Sequence, residues 1–447
     1  MEKNKGIKLR IEAVASDGNG VGRCDGAVVF VPFTAPGDYI KAKIVKVTRS
    51  HAFGIVDELI EPAGCRQTND CPSFTKCGGC AFRHIEYSEE LKIKHRFVAD
   101  ALKRIGKLET TVNMATASPA IEAYRNKAQL PVCPEQNRLR AGFYAKRSHR
   151  VIPFERGCSL QPDSFLAIAE RCCGILADLG VTAYEETTAR GLLRHLIIRS
   201  GSDGSIMLAL VLNGAAFPGE MVFCRSITER FPQIRTIVVN RNLKSTNVIL
   251  GEESRPLYGD GYLYDSLAGI PLRLSLSSFF QINRAAAELL YSKIKEYAAP
   301  SGDETLLDLY CGAGAVGLSL AKYVKKLIGV EAVKAAVLDA EYNARTSGIS
   351  NACFIAADAK TAAADLAGGD RIDIAVLDPP RKGCDAETLT ALGAMAPKRI
   401  VMVSCNPATF ARDLAALSGY GYRVIEVTPV DMFPRTAHIE CVALMER

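Results

Sequence analysis

Over the first sixty positions, apolar and polar residues alternate in short runs. LRIEAVA, AVVFVPF, DYIKAKIVKV and AFGIVDEL have the period of two expected of strands, and SDGNG, CDG, Pro32, Pro36 and Gly37 break them apart. Five short strands with glycine-rich turns predict a small β-barrel over residues 1–63. A cysteine-rich loop follows at 64–85. After it, Leu91, Val98, Leu102 and Ile105 mark the apolar face of an amphipathic helix in YSEELKIKHRFVADALKRIGKL. Between about 110 and 275 the pattern is mixed. YRNKAQLPV, RLRAGFYA, LLRHLIIRS, SIMLALVL and TIVVN read as strands, 162–179 as a helix, and GSDG at 201–204 as a hairpin turn, so residues 64–275 are expected to be an α+β domain. From 276 to 447 buried strands (TLLDLYCG, KLIGVEA, ACFIAAD, DIAVLDPP, RIVMVSCNP) alternate with helices and end in YRVIEVTPV and HIECVALME. That alternation predicts a doubly wound, Rossmann-like α/β sheet, which binds ligands at the carboxyl ends of its strands.

A chain of 447 residues, 48% hydrophobic, is long enough for several separate cores, in keeping with a multidomain α/β protein. No run approaches a membrane span and the start MEKNKGIKLR lacks an apolar leader, so a cytoplasmic protein with no membrane partner is expected. Without coiled-coil heptads or long apolar runs, a monomer is expected. The net charge is +6, but it is unevenly spread. Residues 1–275 carry 37 Lys and Arg against 29 Asp and Glu, and 276–447 carry 18 against 20, so a polyanion such as RNA would meet the first part. Lys41, Lys43, Lys46 and Arg49 lie on or near one strand, and RLRAGFYAKRSHRVIPFER holds six Arg and Lys with aromatics between them. Both suit an RNA surface, and both also suit an ordinary solvated strand face.

DLYCGAGAVG places Gly312, Gly314 and Gly317 in G-x-G-x-x-G spacing after a strand, with Glu331 at the end of the next strand, positioned to accept from ribose hydroxyls. The motif alone also describes a dinucleotide site. Asp308, just before the glycine turn, would repel a pyrophosphate and suit a cationic amino acid and sulfonium, which favours S-adenosylmethionine. Asp358 and Asp378 end two further strands on the same rim, and Asp378 opens DPPRKG, where Arg381 and Lys382 offer cations for a phosphate. Each carboxylate alternatively caps a helix. Cys405 closes RIVMVS immediately before a helix, a position where the helix N-terminus lowers a thiol pKa; a lone cysteine there is more often a buried thiol. Methyl transfer to C5 of a uracil needs such a thiolate at C6 and a base for the C5 proton. Glu440 in PRTAHIE is the candidate base, and His438, expected on the same strand face, is its rival.

In this order, SFFQIN, DLYCGAG, VEA, LDPPRKG, VSCNP and FPRTAHIE resemble the RNA 5-methyluridine methyltransferases of the TrmA/RumA type, across the whole of 276–447. The resemblance implies that Gln281, Tyr310, Glu331 and Asp378 bind S-adenosylmethionine, with Asp358 near the adenine. It further implies that Phe279 contacts the target base, Cys405 is the nucleophile and Glu440 the proton acceptor. Residues 1–63 resemble a TRAM domain, an RNA-binding barrel. Cys71, Cys77 and Cys80 stand in C-x5-C-x2-C spacing, and cluster-bearing members of this family take their fourth ligand from a context like RGCSLQP. The resemblance therefore implies a [4Fe-4S] cluster on Cys71, Cys77, Cys80 and Cys158. Cys65 is the main rival fourth ligand, Cys133, Cys172 and Cys173 are weaker ones, and zinc is the alternative metal. The spacing does not match the C-x3-C-x2-C of radical chemistry.

By this resemblance the tRNA-directed members lack both barrel and cysteine loop, whereas a chain with both resembles the large-subunit ribosomal RNA enzymes, so 23S ribosomal RNA is the expected partner and tRNA the alternative. Three other readings would leave different traces. A dehydrogenase needs no nucleophile opposite its cofactor, a cytosine C5 methyltransferase sets its cysteine after proline, and a noncatalytic RNA-binding or ribosome assembly protein is indifferent to Cys405.

Overall fold

The computed structural model describes every residue except Asp70, Asn137, Glu155, Arg156 and Asp370. Arg156, the last cation of the basic stretch, therefore lies outside the described residues. Strands Gly6–Val14, Asn19–Cys24, Ala27–Pro32, Tyr39–Val47 and His51–Glu61 close into a five-stranded barrel. The alternation seen in the sequence fills it: Ile7, Leu9, Ile11, Val29, Val31, Ile40, Ala42 and Ile44 point inward and form its core. Lys41 and Lys43 face out, and Lys41 is paired with Asp57 at 3.0 Å.

The middle of the chain builds a seven-stranded sheet in the order Glu253–Tyr258, Ile234–Arg241, Ile206–Leu212, Leu193–Ser200, Lys127–Glu135, Arg138–Tyr144, Val151–Pro153. Leu193–Ser200 and Ile206–Leu212 form the expected hairpin, and only Ile206–Leu212 and Ile234–Arg241 run parallel. The helix Asp163–Asp178 covers one face with Phe165, Ile168, Cys172 and Leu176.

The last domain is an eight-stranded sheet in the order Ala352–Ala356, Lys326–Glu331, Thr305–Leu309, Ile374–Leu377, Arg399–Ser404, Glu440–Glu446, Arg423–Val430, Thr111–Val112. The first five strands are parallel, with helices in the connections. Glu440–Glu446 is antiparallel to both neighbours, which brings the start of that strand beside the end of Arg399–Ser404. One strand comes from far upstream. Thr111–Val112 extends this sheet, and Val98, Ala101 and Leu102 of the amphipathic helical stretch join its core. Two residues of edge strand carry too little periodicity to be read from sequence. Among the described residues, no helix is long and apolar enough to cross a membrane.

Candidate active site

The strand Thr305–Leu309 runs into a tight turn that starts the helix Ala315–Ala321. Gly314 at its N-terminus has φ +83°, a conformation that costs glycine nothing. Gly317 is required for closeness: a β-carbon there would lie 2.8 Å from Asp308 Oδ2 and 2.9 Å from Leu327. The Gly317 N–H donates to that carboxylate oxygen at 2.8 Å. Asp308 thus organises the turn besides facing the cavity in front of it. Glu331, at the next strand end, accepts from the Gly312 N–H (3.1 Å) and the Val333 N–H (2.8 Å). Asp358 ends its strand as a helix cap, accepting from the Thr361 N–H at 3.0 Å. The bland reading of that carboxylate is therefore realised, and its side chain remains exposed.

Phe279, Gln281, Asp308, Tyr310, Gly312, Val316 and Asp378 line one small cavity at the carboxyl ends of the strands. Tyr310 holds φ +67° to enter it, a modest local strain for a non-glycine residue. Gln281 is buried, whereas Phe279 is 68% exposed at the mouth. The segment carrying both is tied to the middle domain through Asn126, whose N–H donates to Ile282 O (2.9 Å) and whose Nδ2 donates to Gln281 O (2.8 Å). Burial pushes the Asp308 carboxyl up to about 7 and that of Asp378 up to about 6. A cation entering the cavity would favour both ionised forms.

Cys405 lies directly after Ser404, which pairs with Cys441 across the antiparallel ladder, so Cys405 and Glu440 are neighbours. Asp378 and Arg381, from the loop after Ile374–Leu377, close the group. The expected depression of the Cys405 pKa is not found: burial raises the thiol, the Glu440 and Asp378 charges raise it further, and the positive charge of Arg381 pulls in the opposite direction. The helix that follows starts at Pro407, which has no N–H, and is capped by Asn406, whose Oδ1 accepts the Ala408 N–H at 3.1 Å. Burial, then Asp378, holds the Glu440 carboxyl well above the usual carboxylate range, with Arg381 opposing. His438 does not share the face of Glu440. The strand begins at Glu440, which is buried, while His438 lies exposed in the preceding turn, 3.4 Å from Arg381 Nη2. Sequence reasoning assigned Arg381 to phosphate; its electrostatic influence on Cys405 and Glu440 had no sequence signal.

Cys71, Cys77, Cys80 and Cys158 line a second cavity of about 70 Å³, together with Phe74, Phe143, Phe154 and Arg125. Burial pushes Cys80 up to about 12 and raises Cys77 and Cys158. Cys65 is elsewhere, against Pro36 O, while Cys172 and Cys173 pack in the helix core. Among the described residues, no three His, Cys, Asp or Glu side chains are arranged to hold a single metal ion.

A doubly wound sheet with a glycine turn is shared with dinucleotide-binding proteins, and the buried carboxylates of Asp308 and Asp378 in the cavity suit the cationic ligand of the S-adenosylmethionine-dependent methyltransferases. Comparison narrows the class. Residues 270–447 match the tRNA (Uracil-5-)-methyltransferase family model and 2–56 the TRAM domain model. The chain is 41% identical to an uncharacterized RNA methyltransferase of Halalkalibacterium halodurans and 36% identical to one of Clostridium tetani. Each match covers 100% of this chain and, respectively, 98% and 97% of the relative. The crystal structure of Pyrococcus abyssi tRNA (uracil-54, C5)-methyltransferase in complex with S-adenosyl-L-homocysteine superposes with a TM-score of 0.77 at 25% identity, covering 98% of this chain and 100% of that one. The chain belongs to the uracil-5 RNA methyltransferase family and is an S-adenosylmethionine-dependent enzyme.

Proposed function

We propose that the enzyme methylates C5 of a uridine in 23S ribosomal RNA through a covalent bond between Cys405 and C6. The observation that carries this reading is the adjacency of Cys405 and Glu440 across one ladder, with the Arg381 charge favouring the thiolate. C5 of uracil is too weak a nucleophile to take a methyl group unaided. Addition of the Cys405 thiolate to C6 makes C5 an enolate carbon, for which S-adenosylmethionine supplies an electrophilic methyl group. Glu440 then accepts the C5 proton; the C–H electron pair forms the C5–C6 double bond and the thiolate leaves. Phe279, exposed at the mouth, stacks on the uracil. Gln281, Tyr310, Glu331 and Asp378 hold S-adenosylmethionine, with Asp358 beside the adenine.

Because ionised Asp308 and Asp378 favour a cationic ligand, S-adenosylmethionine affinity is expected to rise as pH increases from about 5 to 8, with protons released on binding below pH 7. Calorimetry in buffers of different ionisation enthalpy checks both the affinity and the proton count. A flat profile would remove these carboxylates from the site.

The four-cysteine cavity supports a [4Fe-4S] cluster held by Cys71, Cys77, Cys80 and Cys158. The four thiols line one space, and a cubane takes one thiolate on each of its irons. The buried Nε of Arg125 and Oε1 of Gln161 have no hydrogen-bond partner beside that space, and a positive guanidinium suits an anionic cluster. Elemental analysis of anaerobically purified protein is expected to find iron and acid-labile sulfide, both lost in Cys158→Ala; stoichiometric zinc without sulfide would refute the cluster.

Ribosomal RNA rests on the family resemblance of the barrel and cysteine loop, and tRNA, the substrate named for the Pyrococcus abyssi enzyme that matches 98% of this chain, is the alternative. Nucleoside mass spectrometry of unmethylated ribosomal RNA and tRNA, each incubated with enzyme and S-adenosylmethionine, is expected to show new 5-methyluridine in ribosomal RNA only. Methylation of tRNA alone would move the substrate.

A further inference from the structure

Glu440 ends the segment that begins at Asp431, and that segment is gripped by chain from outside the C-terminal sequence. The grip starts from the helix Tyr87–Ala101, where Lys94 is fully buried. Its Nζ donates to Glu90 Oε1 (2.8 Å), Asp431 Oδ1 (2.7 Å) and Phe433 O (3.1 Å). Glu90 Oε1 also accepts the Arg435 backbone N–H at 2.7 Å, and Arg435 Nη1 donates to Ile85 O at 3.0 Å. From the other side, the Arg435 carbonyl accepts the N–H of Ala81 (2.8 Å) and of Phe82 (3.1 Å), the two residues after Cys80. The barrel reaches the same spot: a β-carbon at Gly18 would lie 2.8 Å from that of Ala81 and 3.6 Å from that of Ala437.

A buried lysine between two carboxylates is poor value as a folding device, since well-packed apolar residues fill such space as effectively. Among the described residues Glu90 Oε2, Asp431 Oδ2 and Arg435 Nε have no hydrogen-bond partner, so what this buried network supplies is less stability than fixed geometry, through the bonds that tie Asp431, Phe433 and Arg435 to Lys94 and Glu90. Here the fixed points, Asp431, Phe433 and Arg435, precede Glu440 by a few residues, and one of them is bonded to the cysteine loop.

We propose that Lys94 is a positioning residue that, together with the cysteine loop, fixes the Asp431–Glu440 segment so that the Glu440 carboxylate meets the C5 proton of the adduct. Order in the loop, set by whatever Cys71, Cys77, Cys80 and Cys158 bind, is thereby transmitted to proton removal rather than to methyl transfer. The inference rests on Glu440 as the base. The step itself is simple: the C5–H bond breaks, the proton passes to Glu440, the electron pair forms C5=C6, and the Cys405–C6 bond breaks.

The test is single-turnover kinetics of the full-length protein with RNA tritiated at uridine C5 and S-adenosylmethionine. In Lys94→Met, tritium release is expected to slow by about tenfold or more, as for a misplaced catalytic group, and methylated RNA–protein adduct to accumulate. Adduct formation should stay within about twofold of wild type, because the residues that make the adduct are untouched. Glu90→Gln keeps the acceptor oxygen and should show the same selective slowing in milder form; it decides the matter alone if Lys94→Met does not fold. Hydrogen exchange of a peptide spanning 433–440 should quicken in Lys94→Met and in Cys71→Ala. Parallel loss of adduct formation and tritium release, unchanged tritium release in folded variants, or unchanged exchange in Cys71→Ala would each overturn the proposal. Failure of Glu440→Gln itself to accumulate adduct would instead mark failure of the underlying base assignment.

Discussion

Replacing Cys405 with alanine is expected to abolish 5-methyluridine formation, lowering the single-turnover rate by about 10⁴-fold or more, the scale seen when a covalent nucleophile is removed from its unit. S-adenosylmethionine affinity should stay within about twofold, since Cys405 does not line the cavity formed by Gln281, Tyr310 and Asp378. The argument turns on C5: without addition at C6 there is no enolate carbon to take the methyl group. Burial and the Glu440 charge raise the Cys405 thiol, so little thiolate exists in the free enzyme at neutral pH, and Arg381 is the group that opposes them. A thiol-alkylating probe should therefore label Cys405 slowly at pH 7 and faster as pH rises. Denaturing gels of enzyme with 5-fluorouridine RNA and S-adenosylmethionine check the covalent bond: a shifted band for wild type and none for Cys405→Ala. Methylation by Cys405→Ala within tenfold of wild type would end the nucleophile assignment.

The sites where sequence reasoning succeeded are those whose chemistry is local. Gly314 and Gly317 had to be glycines for a turn and a close approach, and the structure shows both reasons. The barrel was readable because a period of two with inward Ile, Leu and Val closes a small core. Cys158 was placed by resemblance alone, and it is folding that brings it to the cavity of Cys71, Cys77 and Cys80. What was not legible depends on partners remote in the chain. The bond from Lys94 to Asp431 joins positions 337 apart, and a lysine on an amphipathic helix reads as solvated unless its carboxylates are known. Similarly, Thr111–Val112 becomes a strand because an open sheet edge accepts it. The Cys405 pKa failed for a related reason. The helix terminus was visible in sequence, but the burial that raises the thiol, and the Glu440 and Asp378 charges that add to it, come from chain remote in sequence.

Glu440→Gln is expected to separate the two halves of the reaction. Adduct formation and methyl transfer should persist, while proton removal falls by about 10²–10⁴-fold, the usual contribution of a general base, so methylated RNA–protein adduct accumulates. The pH dependence gives a second, independent check. The Glu440 carboxyl is held well above its ordinary range by burial and by Asp378, so below that raised value it is protonated and too weak a base to take the C5 proton. Tritium release by wild type should consequently rise with pH, and the variant should lose that limb while keeping the one set by Cys405. Stability should move the other way. A carboxyl whose pKa is raised by folding stabilises the protein below its unfolded value and loses that contribution as pH rises through the folded one. Glu440→Gln removes the penalty, so its melting temperature should exceed that of wild type, with the gap widening from acid toward alkaline pH. A variant that melts lower than wild type at alkaline pH and accumulates no adduct would show that Glu440 is ionised in the free enzyme and that another group takes the proton.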